Sequence, residues 1–451
     1  MYEKISKTKL ALAILSLVIT FFVWQQGLRD SLERPSVSFD LAQKEYEITY
    51  LAKPAIPDNL RDIFFPNEPD NSIQKFLFDN DFDQLTDRNK LIRILITADN
   101  EYFEKNSKLA FNQPLYELAF ENLEKKFLNN SYVPSEEFFE DFINDKYLYH
   151  LLSEEFNFDD SKLINNSFAQ NMFFKLIAIK LLPLITIIIG TLLVIKSTFG
   201  IIISKTINWK PFKALELNSL DMVLLISGGF VVLGEVISPI FSITIVEILT
   251  KNLSEELSQS LKIFFGYFFM ALPPMAIIYF QIKSTGKKFS FKKDYFQFNS
   301  KPLRNSFNLG FKGFLMIIPF VLLTSLLMRL FVENQNGSNP LLEIVLNNNN
   351  YIAFTILFIT TTILAPFFEE IIFRGVLLPI LSRDFGILFG IFMSSFVFAL
   401  AHLSVGEFPP LLVLGIGLAC TRLISGRLAS SIIMHSLWNG LTFFNLFLLR
   451  T

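Results

Sequence analysis

Three groups of ionisable and amide side chains lie in otherwise apolar stretches near the C-terminus of the chain. They are Glu369, Glu370 and Arg374 in the first group, His402 in the second, and His435 and Asn439 in the third. An ionisable side chain inside a membrane segment is costly unless it is paired, so such residues are candidates for function by default. Two of the three histidines in the chain belong to these groups.

These residue types suit the hydrolysis of an amide by an activated water molecule. A carboxylate beside an imidazole can take a proton from water and later return one to the leaving amine. A second imidazole and an amide side chain can donate hydrogen bonds to the oxyanion of a tetrahedral intermediate. The competing interpretation is a zinc site, because open catalytic zinc sites use three His or carboxylate ligands. No HExxH spacing is present, and the ligands would come from three separate spans, so the pattern favours catalysis without a metal.

The spacing of the residues indicates which of them face the same way. Glu370 and Arg374 are four residues apart, so they share a helix face and can form an ion pair that lowers the cost of burial. Glu369 points about 100° away from that pair and can face a cavity. His435 and Asn439 are also four apart and line one face of the last span. We therefore expect Glu369, His402, His435 and Asn439 to form one polar site.

The composition identifies the environment of these segments as a membrane. Of 451 residues, 51% are hydrophobic and only 18% are charged, whereas soluble domains carry about 25% charged residues. This excludes a disordered chain, a nucleic-acid-binding arm and an ordinary cytosolic enzyme. The single cysteine, Cys420, excludes an internal disulfide framework and a multi-cysteine metal site.

The apolar segments predict an all-α, polytopic membrane protein with an N-terminal anchor and about eight C-terminal spans. The uncharged run from Leu10 to Trp24 follows three lysines and lacks a small-x-small cleavage site, which favours an uncleaved anchor over a signal peptide. The C-terminal spans are predicted near 177–203, 220–246, 262–282, 311–332, 351–382, 386–404, 408–424 and 429–449.

The charges divide the chain into three parts. Residues 1–28, the anchor, carry a net charge of +2, and residues 174–451, the membrane domain, carry +9. Residues 29–173 contain 15 Lys or Arg against 28 Asp or Glu, a net charge of −13. Since this block has few long apolar runs, we expect an acidic, mostly helical domain outside the cytoplasm, inserted between the two membrane parts.

The loop charges predict the orientation. The stretches 204–219 and 283–310 are basic, whereas 249–261 and 333–350 are acidic. Positively charged loops stay on the cytoplasmic side. This alternation predicts a cytoplasmic N-terminus, a C-terminus on the opposite (trans) side, and residues 29–173 on the trans side of a bacterial inner membrane or an organelle membrane.

The three groups together resemble the motifs of a known family. Glu369-Glu370-x-x-x-Arg374, Phe398-x-x-x-His402 and His435-x-x-x-Asn439 are similar, in order and spacing, to the motifs of the CPBP family of CAAX proteases and bacteriocin-processing (Abi) enzymes. All three fall within 366–440, and the resemblance says nothing about residues 29–173.

The resemblance implies an intramembrane glutamic endopeptidase that needs no cofactor and no metal. Glu369 would be the catalytic carboxylate and His402 its partner in activating water. His435 and Asn439 would form the oxyanion hole, and Glu370, Arg374 and Phe398 would support the site. The expected partners are the lipid bilayer and a peptide or protein substrate at the membrane, prenylated or a leader peptide, and no nucleic acid is expected.

Three other functions compete with this one. A membrane scaffold or immunity protein without activity would keep the fold and bind a partner through residues 29–173. A zinc-dependent membrane metalloprotease would use the same polar residues as metal ligands. A transporter with proton relays lacks the paired internal repeats that its fold would require. Retention of the whole polar set favours the peptidase, because buried polar groups without a role are costly.

Overall fold

A computed structural model describes residues 7–34, 37–64, 77, 82, 85–97, 111–212, 214–284, 296–298, 302–331, 340–348 and 350–450. The structure is 83% helical, with no strand among these residues, which confirms the all-α membrane fold. The loops predicted at 283–310 and 333–350 lie partly outside the described residues, and Pro340–Asn347 within the second loop forms a helix.

The helices run in one long series. In chain order they are α1 (Lys7–Glu33), α2 (Ser38–Ala52), α3 (Asp58–Phe64), α4 (Asp87–Thr97), α5 (Pro114–Leu128), α6 (Glu136–Glu140), α7 (Lys146–Phe156), α8 (Asn166–Ser204), α9 (Ser219–Thr250), α10 (Glu255–Ser284), α11 (Leu303–Phe331), α12 (Pro340–Asn347), α13 (Tyr351–Phe385), α14 (Ile387–Leu400), α15 (Phe408–Ser425) and α16 (Leu428–Leu448). Among the described residues, seven helices are long and apolar enough to cross a membrane: α1, α8, α9, α10, α11, α13 and α15.

Each of the eight C-terminal spans predicted from the sequence coincides with a helix, namely α8 to α11 and α13 to α16. Several bounds differ: besides α8 and α14, α10 begins at Glu255 rather than 262, and α11 begins at Leu303 rather than 311. α8 begins at Asn166, well before the predicted position 177, and α14 has only 14 residues. At 1.5 Å per residue α14 is about 21 Å long, which is shorter than a hydrocarbon core of about 30 Å. Its C-terminal end can therefore lie within the bilayer.

The chain divides into two compact units. The membrane unit comprises Met1–Ser36 and Pro183–Phe447, and the second unit comprises Val37–Leu182 and Leu448–Thr451. The limits 28/29 and 173/174 that charge patterning gives stay a prediction.

The membrane unit is built on close helix contacts. In it, α1 packs against α9, α9 against α10, α10 against α13, and α15 against both α11 and α14. Gly234 on α9 allows one such approach, since a Cβ there would lie 2.8 Å from the carbonyl oxygen of Met270 on α10. The core of the unit gathers around the middle of α13 and includes Phe373, Phe398 and Met434.

Parts of two membrane helices are wound more widely than an α-helix. Leu224–Ile237 in α9, and Thr360–Leu364 and Ile371–Leu377 in α13, are π-helical. π-Helical segments are rare, and where they do occur they are frequently found at functional sites. The two segments in α13 flank Ala365–Glu370, the short α-helical stretch that contains both motif glutamates.

The second unit contains a partly buried ionic centre that joins several of its helices. Arg88 on α4 donates to Glu47 on α2 at 2.7 Å and to both carboxylate oxygens of Asp145 at 2.5 and 3.0 Å. Asp145 also caps α7, because its side chain accepts a hydrogen bond from the backbone amide of Leu148. One guanidinium group therefore joins α2, α4 and the beginning of α7.

Candidate active site

The two glutamates of the first motif are both buried, but their surroundings differ. Glu370 and Arg374 are fully buried, and Glu369 is 8% exposed. All three lie near the junction of the α-helical and π-helical parts of α13. Adjacent positions on a helix point about 100° apart, so each carboxylate meets a different set of neighbours.

Both carboxylate oxygens of Glu370 take part in hydrogen bonds. Its Oε1 accepts from Arg374 Nη1 at 2.9 Å, as the four-residue spacing predicts, and lies 2.9 Å from His435 Nδ1. Its Oε2 accepts from the hydroxyl of Ser431. Arg374 also donates to the carbonyl oxygen of Gly415 on α15 at 3.2 Å. With these donors in place Glu370 serves as an anchor that joins α13 to α16.

Glu369 keeps one oxygen available. Its Oε1 accepts a hydrogen bond from the hydroxyl of Tyr267 on α10. Within the described part of the chain, its Oε2 is buried and has no hydrogen-bond partner. That oxygen lies 3.8 Å from Nε2 of His435, beyond hydrogen-bonding distance. Of the two motif glutamates, Glu369 is therefore the one with an oxygen open for chemistry.

His435 lies between the two carboxylates. Because a carboxylate oxygen accepts, the contact between Nδ1 and Glu370 requires a proton on Nδ1. The other ring nitrogen, Nε2, then faces Glu369. Arg374 supplies a positive charge, and His435 supplies an N–H donor, to the pair of neighbouring buried carboxylates.

His402 follows the C-terminal end of α14 and joins the group through Phe398. Its Nδ1 donates to the carbonyl oxygen of Phe398 at 2.7 Å, which leaves Nε2 as the acceptor of a neutral ring. The Phe398 ring packs on His402, with the centroids 4.7 Å apart, and on His435, at 5.7 Å. The guanidinium carbon of Arg374 lies 4.2 Å from the centroid of the same ring. Phe398 thus sits between both imidazoles and the guanidinium group.

Asn439 also faces α13, but at another level. Its amide nitrogen donates to the carbonyl oxygen of Thr361 at 2.8 Å. Thr361 precedes Glu369 by eight residues, about two helical turns, along α13. His435 and Asn439 therefore share the face of α16 that the spacing predicts, and their hydrogen bonds reach different turns of α13.

Three further residues that contribute to this group, Ser431, Gly415 and Tyr267, lie outside the sequence motifs. Ser431 precedes His435 by four residues, so helical spacing could have indicated that it shares the same face. Gly415 contributes a backbone carbonyl, and a Cβ at this position would lie 2.9 Å from the Cβ of Ser395. Tyr267 comes from a helix about 100 residues earlier, in a segment rich in phenylalanine, and no spacing connects it with the motifs.

The part of the chain that the structure describes contains no cluster of side chains with the arrangement of a metal site. Among those residues, no three His, Cys, Asp or Glu side chains are arranged to hold a metal ion. The residues that do converge supply a buried carboxylate with an open oxygen, an oriented imidazole opposite it, and donors that fix both. Such a set can take a proton from water and stabilise a developing negative charge.

Comparison with known proteins identifies two segments of the chain. Residues 38–174 match the model of a domain of unknown function (DUF8675), and residues 351–441 match the model described as type II CAAX prenyl endopeptidase Rce1-like. No curated protein and no solved structure matches the chain. The second segment runs from the start of α13 into α16 and contains all three motifs. Residues 351–441 are therefore a domain of the CPBP family of CAAX proteases, within a multi-pass membrane protein.

Proposed function

We propose that this protein is an intramembrane endopeptidase in which Glu369 and His402 activate water to hydrolyse a peptide bond. The observation that carries the proposal is the contrast between the two adjacent glutamates. The oxygens of Glu370 accept hydrogen bonds from Arg374, His435 and Ser431. Oε2 of Glu369 is buried and has no hydrogen-bond partner among the described residues. The family match supports the peptidase class, and the roles of single residues are our inference.

In the proposed reaction, Oε2 of Glu369 takes a proton from water while Nε2 of His402 accepts a hydrogen bond from the same molecule. The water oxygen attacks the carbonyl carbon, and the carbonyl oxygen becomes an oxyanion. Glu369 then returns its proton to the amide nitrogen as the carbon–nitrogen bond breaks, leaving a carboxylic acid and an amine. This is the exchange of base and acid roles that a single carboxylate can perform.

His435 and Asn439 are the proposed donors to the oxyanion. Since Nδ1 of His435 gives its proton to Glu370, a hydrogen bond from Nε2 requires a second proton on the ring. Glu370, which Nδ1 contacts, supplies the neighbouring negative charge for that form of the ring. Asn439 has two amide hydrogens, of which the contact with Thr361 uses one.

Substitution of the motif residues tests this assignment. Glu369→Ala and His402→Ala should each abolish cleavage while folding and membrane insertion persist, because both residues act on water. His435→Ala or Asn439→Ala should reduce kcat by roughly 10²- to 10³-fold, the usual loss for one oxyanion donor. Glu247→Ala is the matched control, since Glu247 is an exposed glutamate on membrane helix α9 and should tolerate replacement.

Substrates can be found by comparing peptide termini in membranes from cells that carry wild-type, Glu369→Ala or Glu247→Ala protein. A precursor that accumulates only with Glu369→Ala is then cleaved in vitro by purified protein. A farnesylated CAAX peptide and the same peptide without the farnesyl group are further probes, because the matched family is described as a prenyl endopeptidase. Cleavage of a recovered substrate by Glu369→Ala protein at the wild-type rate would contradict the assignment.

The same assay separates glutamate chemistry from zinc chemistry. We expect activity to survive exhaustive treatment with o-phenanthroline, and the purified active protein to contain no stoichiometric zinc. One zinc per chain, together with activity that chelation removes and zinc alone restores, would support a metalloprotease instead. A Glu369→Ala strain with an unchanged set of termini would favour a scaffold or immunity role.

A further inference from the structure

A tyrosine outside the matched family segment touches the proposed catalytic carboxylate. The hydroxyl of Tyr267 on α10 donates a hydrogen bond to Oε1 of Glu369 on α13. α10 packs along α13, so the contact lies at an interface between two long membrane helices. Tyr267 precedes the segment 351–441 by more than eighty residues, and no comparison assigns it a role.

The contact makes the two oxygens of Glu369 unequal. A glutamate side chain has three rotatable torsions, so an unrestrained carboxylate could present either oxygen to its surroundings. The hydrogen bond from the Tyr267 hydroxyl holds Oε1 in place. Oε2 is then directed away from Tyr267, and it lies 3.8 Å from Nε2 of His435.

Other titratable groups on the helices around the site have their own partners. On α13, Glu370 and Arg374 bond to each other, and on α16 His435 is bonded to Glu370. On α9, Glu235 accepts a hydrogen bond from Nε1 of Trp24 on α1 at 3.3 Å and interacts electrostatically with Tyr267. On α14, His402 is bonded to the backbone of Phe398. Tyr267 is the donor whose hydrogen bond ends on Glu369 itself.

We propose that Tyr267 is a positioning residue for Glu369, which holds Oε1 so that Oε2 faces His435 and the attacking water. This inference rests on the proposed function of Glu369. It adds α10 to the machinery that the family motifs define, and it gives Tyr267 an effect on the chemical step without contact with the substrate.

Infrared spectroscopy tests the contact without a substrate. Full-length protein in lipid nanodiscs is compared as wild type, Tyr267→Phe, Tyr279→Phe and Glu369→Gln. The band lost in Glu369→Gln identifies the carboxyl or carboxylate stretch of Glu369. We expect this band to shift in Tyr267→Phe and to stay in place in Tyr279→Phe. Tyr279 is the matched control, since it lies on the same helix, is 42% exposed and packs on Phe280.

A second variant covers the case in which Tyr267→Phe fails to fold. Replacement of Tyr267 with 3-fluorotyrosine keeps the shape and hydroxyl of the side chain and makes it a stronger donor. The Glu369 band should then shift in the opposite sense to the shift in Tyr267→Phe. An unchanged band in a folded Tyr267→Phe or 3-fluorotyrosine protein overturns the proposal.

Kinetics give a readout that a purely structural role would not produce. With a substrate that wild-type protein cleaves, Tyr267→Phe should lower kcat about 10- to 100-fold and leave KM unchanged, because the hydrogen bond that orients the Glu369 carboxyl group is lost while substrate contacts stay. Equal kcat values in Tyr267→Phe and wild type, with Glu369→Ala inactive, would overturn the role of Tyr267 and leave the proposed function standing. Full activity of Glu369→Ala would overturn the proposed function, whatever the infrared band shows.

Discussion

At the scale of single residues, the site depends on how two neighbouring carboxylates divide their tasks. Glu370 accepts hydrogen bonds from donors on α13 and α16. Among the described residues, Glu369 has a donor from α10 on Oε1 and none on Oε2. Burial of an ion pair is costly, and the attraction between the partners repays that cost only when additional hydrogen bonds complete the site. Ser431 and His435 provide those bonds, which explains how Glu370 and Arg374 can both be fully buried.

A double-mutant cycle on the buried pair tests this structural role. Arg374→Met leaves the Glu370 carboxylate without its positive partner, so we expect a loss of about 3–5 kcal/mol in the free energy of unfolding. Glu370→Gln combined with Arg374→Met removes both charges, and the double variant should be more stable than Arg374→Met alone. Thermal unfolding of the four proteins in nanodiscs measures the coupling. Additive losses would show that the two side chains do not interact energetically.

Part of this site could be predicted from spacing, and part could not. The ion pair between Glu370 and Arg374 follows from a separation of four residues, because helical geometry places such residues on one face. The contact between Tyr267 and Glu369 depends on how α10 and α13 pack, and a one-dimensional pattern does not encode the register of two helices. The roles of Glu369, His402, His435 and Asn439 stay predictions until cleavage is measured.

At the scale of elements, hydropathy located the membrane helices but not their internal winding. The apolar stretch 351–382 predicts one span, and α13 occupies it. Within α13, however, two π-helical segments change which residues face α10 and α16. The hydrogen bonds of a π-helix span one residue more than those of an α-helix. This is a local adjustment to packing, and an apolar sequence contains no signal that distinguishes the two. The short α14 likewise ends before the predicted position 404 and leaves His402 in the following turn.

In the second unit, Arg88 joins three helices through Glu47 and Asp145. The ion pair with Asp145 should make the stability of the unit depend on pH. Burial raises the pKa of Asp145, but hydrogen bonds from Arg88 and its positive charge outweigh burial and lower that pKa below its ordinary value of 3.8. An acid with a lowered pKa in the folded state adds stability above its unfolded pKa, and this stability is lost as the pH falls through the folded value. The contribution of Asp145 should therefore be complete above about pH 5 and decline below about pH 4.

Calorimetry of the full-length protein in nanodiscs measures this effect. Arg88→Met should lower the unfolding temperature of the second unit at pH 7, because it leaves Glu47 and Asp145 near each other without their shared cation. Between pH 5 and pH 3, Asp145→Asn protein should lose less stability than wild type, since the substituted side chain no longer titrates. Lys162→Met is a suitable control for the loss of one positive charge, because the Lys162 side chain is 83% exposed. Equal acid sensitivity of wild type and Asp145→Asn would contradict the assignment.

At the scale of the whole molecule, composition and charge give most of what can be predicted. The low charge content and the long apolar runs predict a multi-pass helical membrane protein, and the helices confirm it. The acidic block 29–173 predicts a separate helical domain, and those limits stay a prediction. The second compact unit of the structure comprises Val37–Leu182 and Leu448–Thr451. The sequence motifs give no function for this domain, and the family model that matches residues 38–174 is also of unknown function. A role for this domain in selecting partners depends on the side of the membrane that it occupies.

The orientation in the membrane is the prediction that charge patterning makes for the whole chain. Three lysines precede the N-terminal anchor, and a block with a net charge of −13 follows it. Because basic segments remain in the cytoplasm, we expect residues 29–173 on the trans side and the basic stretch 283–310 in the cytoplasm, where anionic lipids would also attract it. Single cysteines at Asn112 and Ser284, both exposed positions, report on the two sides when Cys420 is replaced by alanine.

An impermeant thiol reagent applied to intact cells distinguishes the two orientations. The cysteine at position 112 should react from outside, and the cysteine at position 284 only after the cells are permeabilised. The parent protein without cysteine provides the background, and labelling after denaturation verifies that both variants are present in equal amounts. With position 112 outside, the acidic domain could bind basic segments of extracytoplasmic proteins before these reach the site in the bilayer, because opposite charges raise the rate of encounter. Reaction at position 284 but not at position 112 in intact cells would reverse the orientation, and the acidic domain would then meet cytoplasmic partners instead.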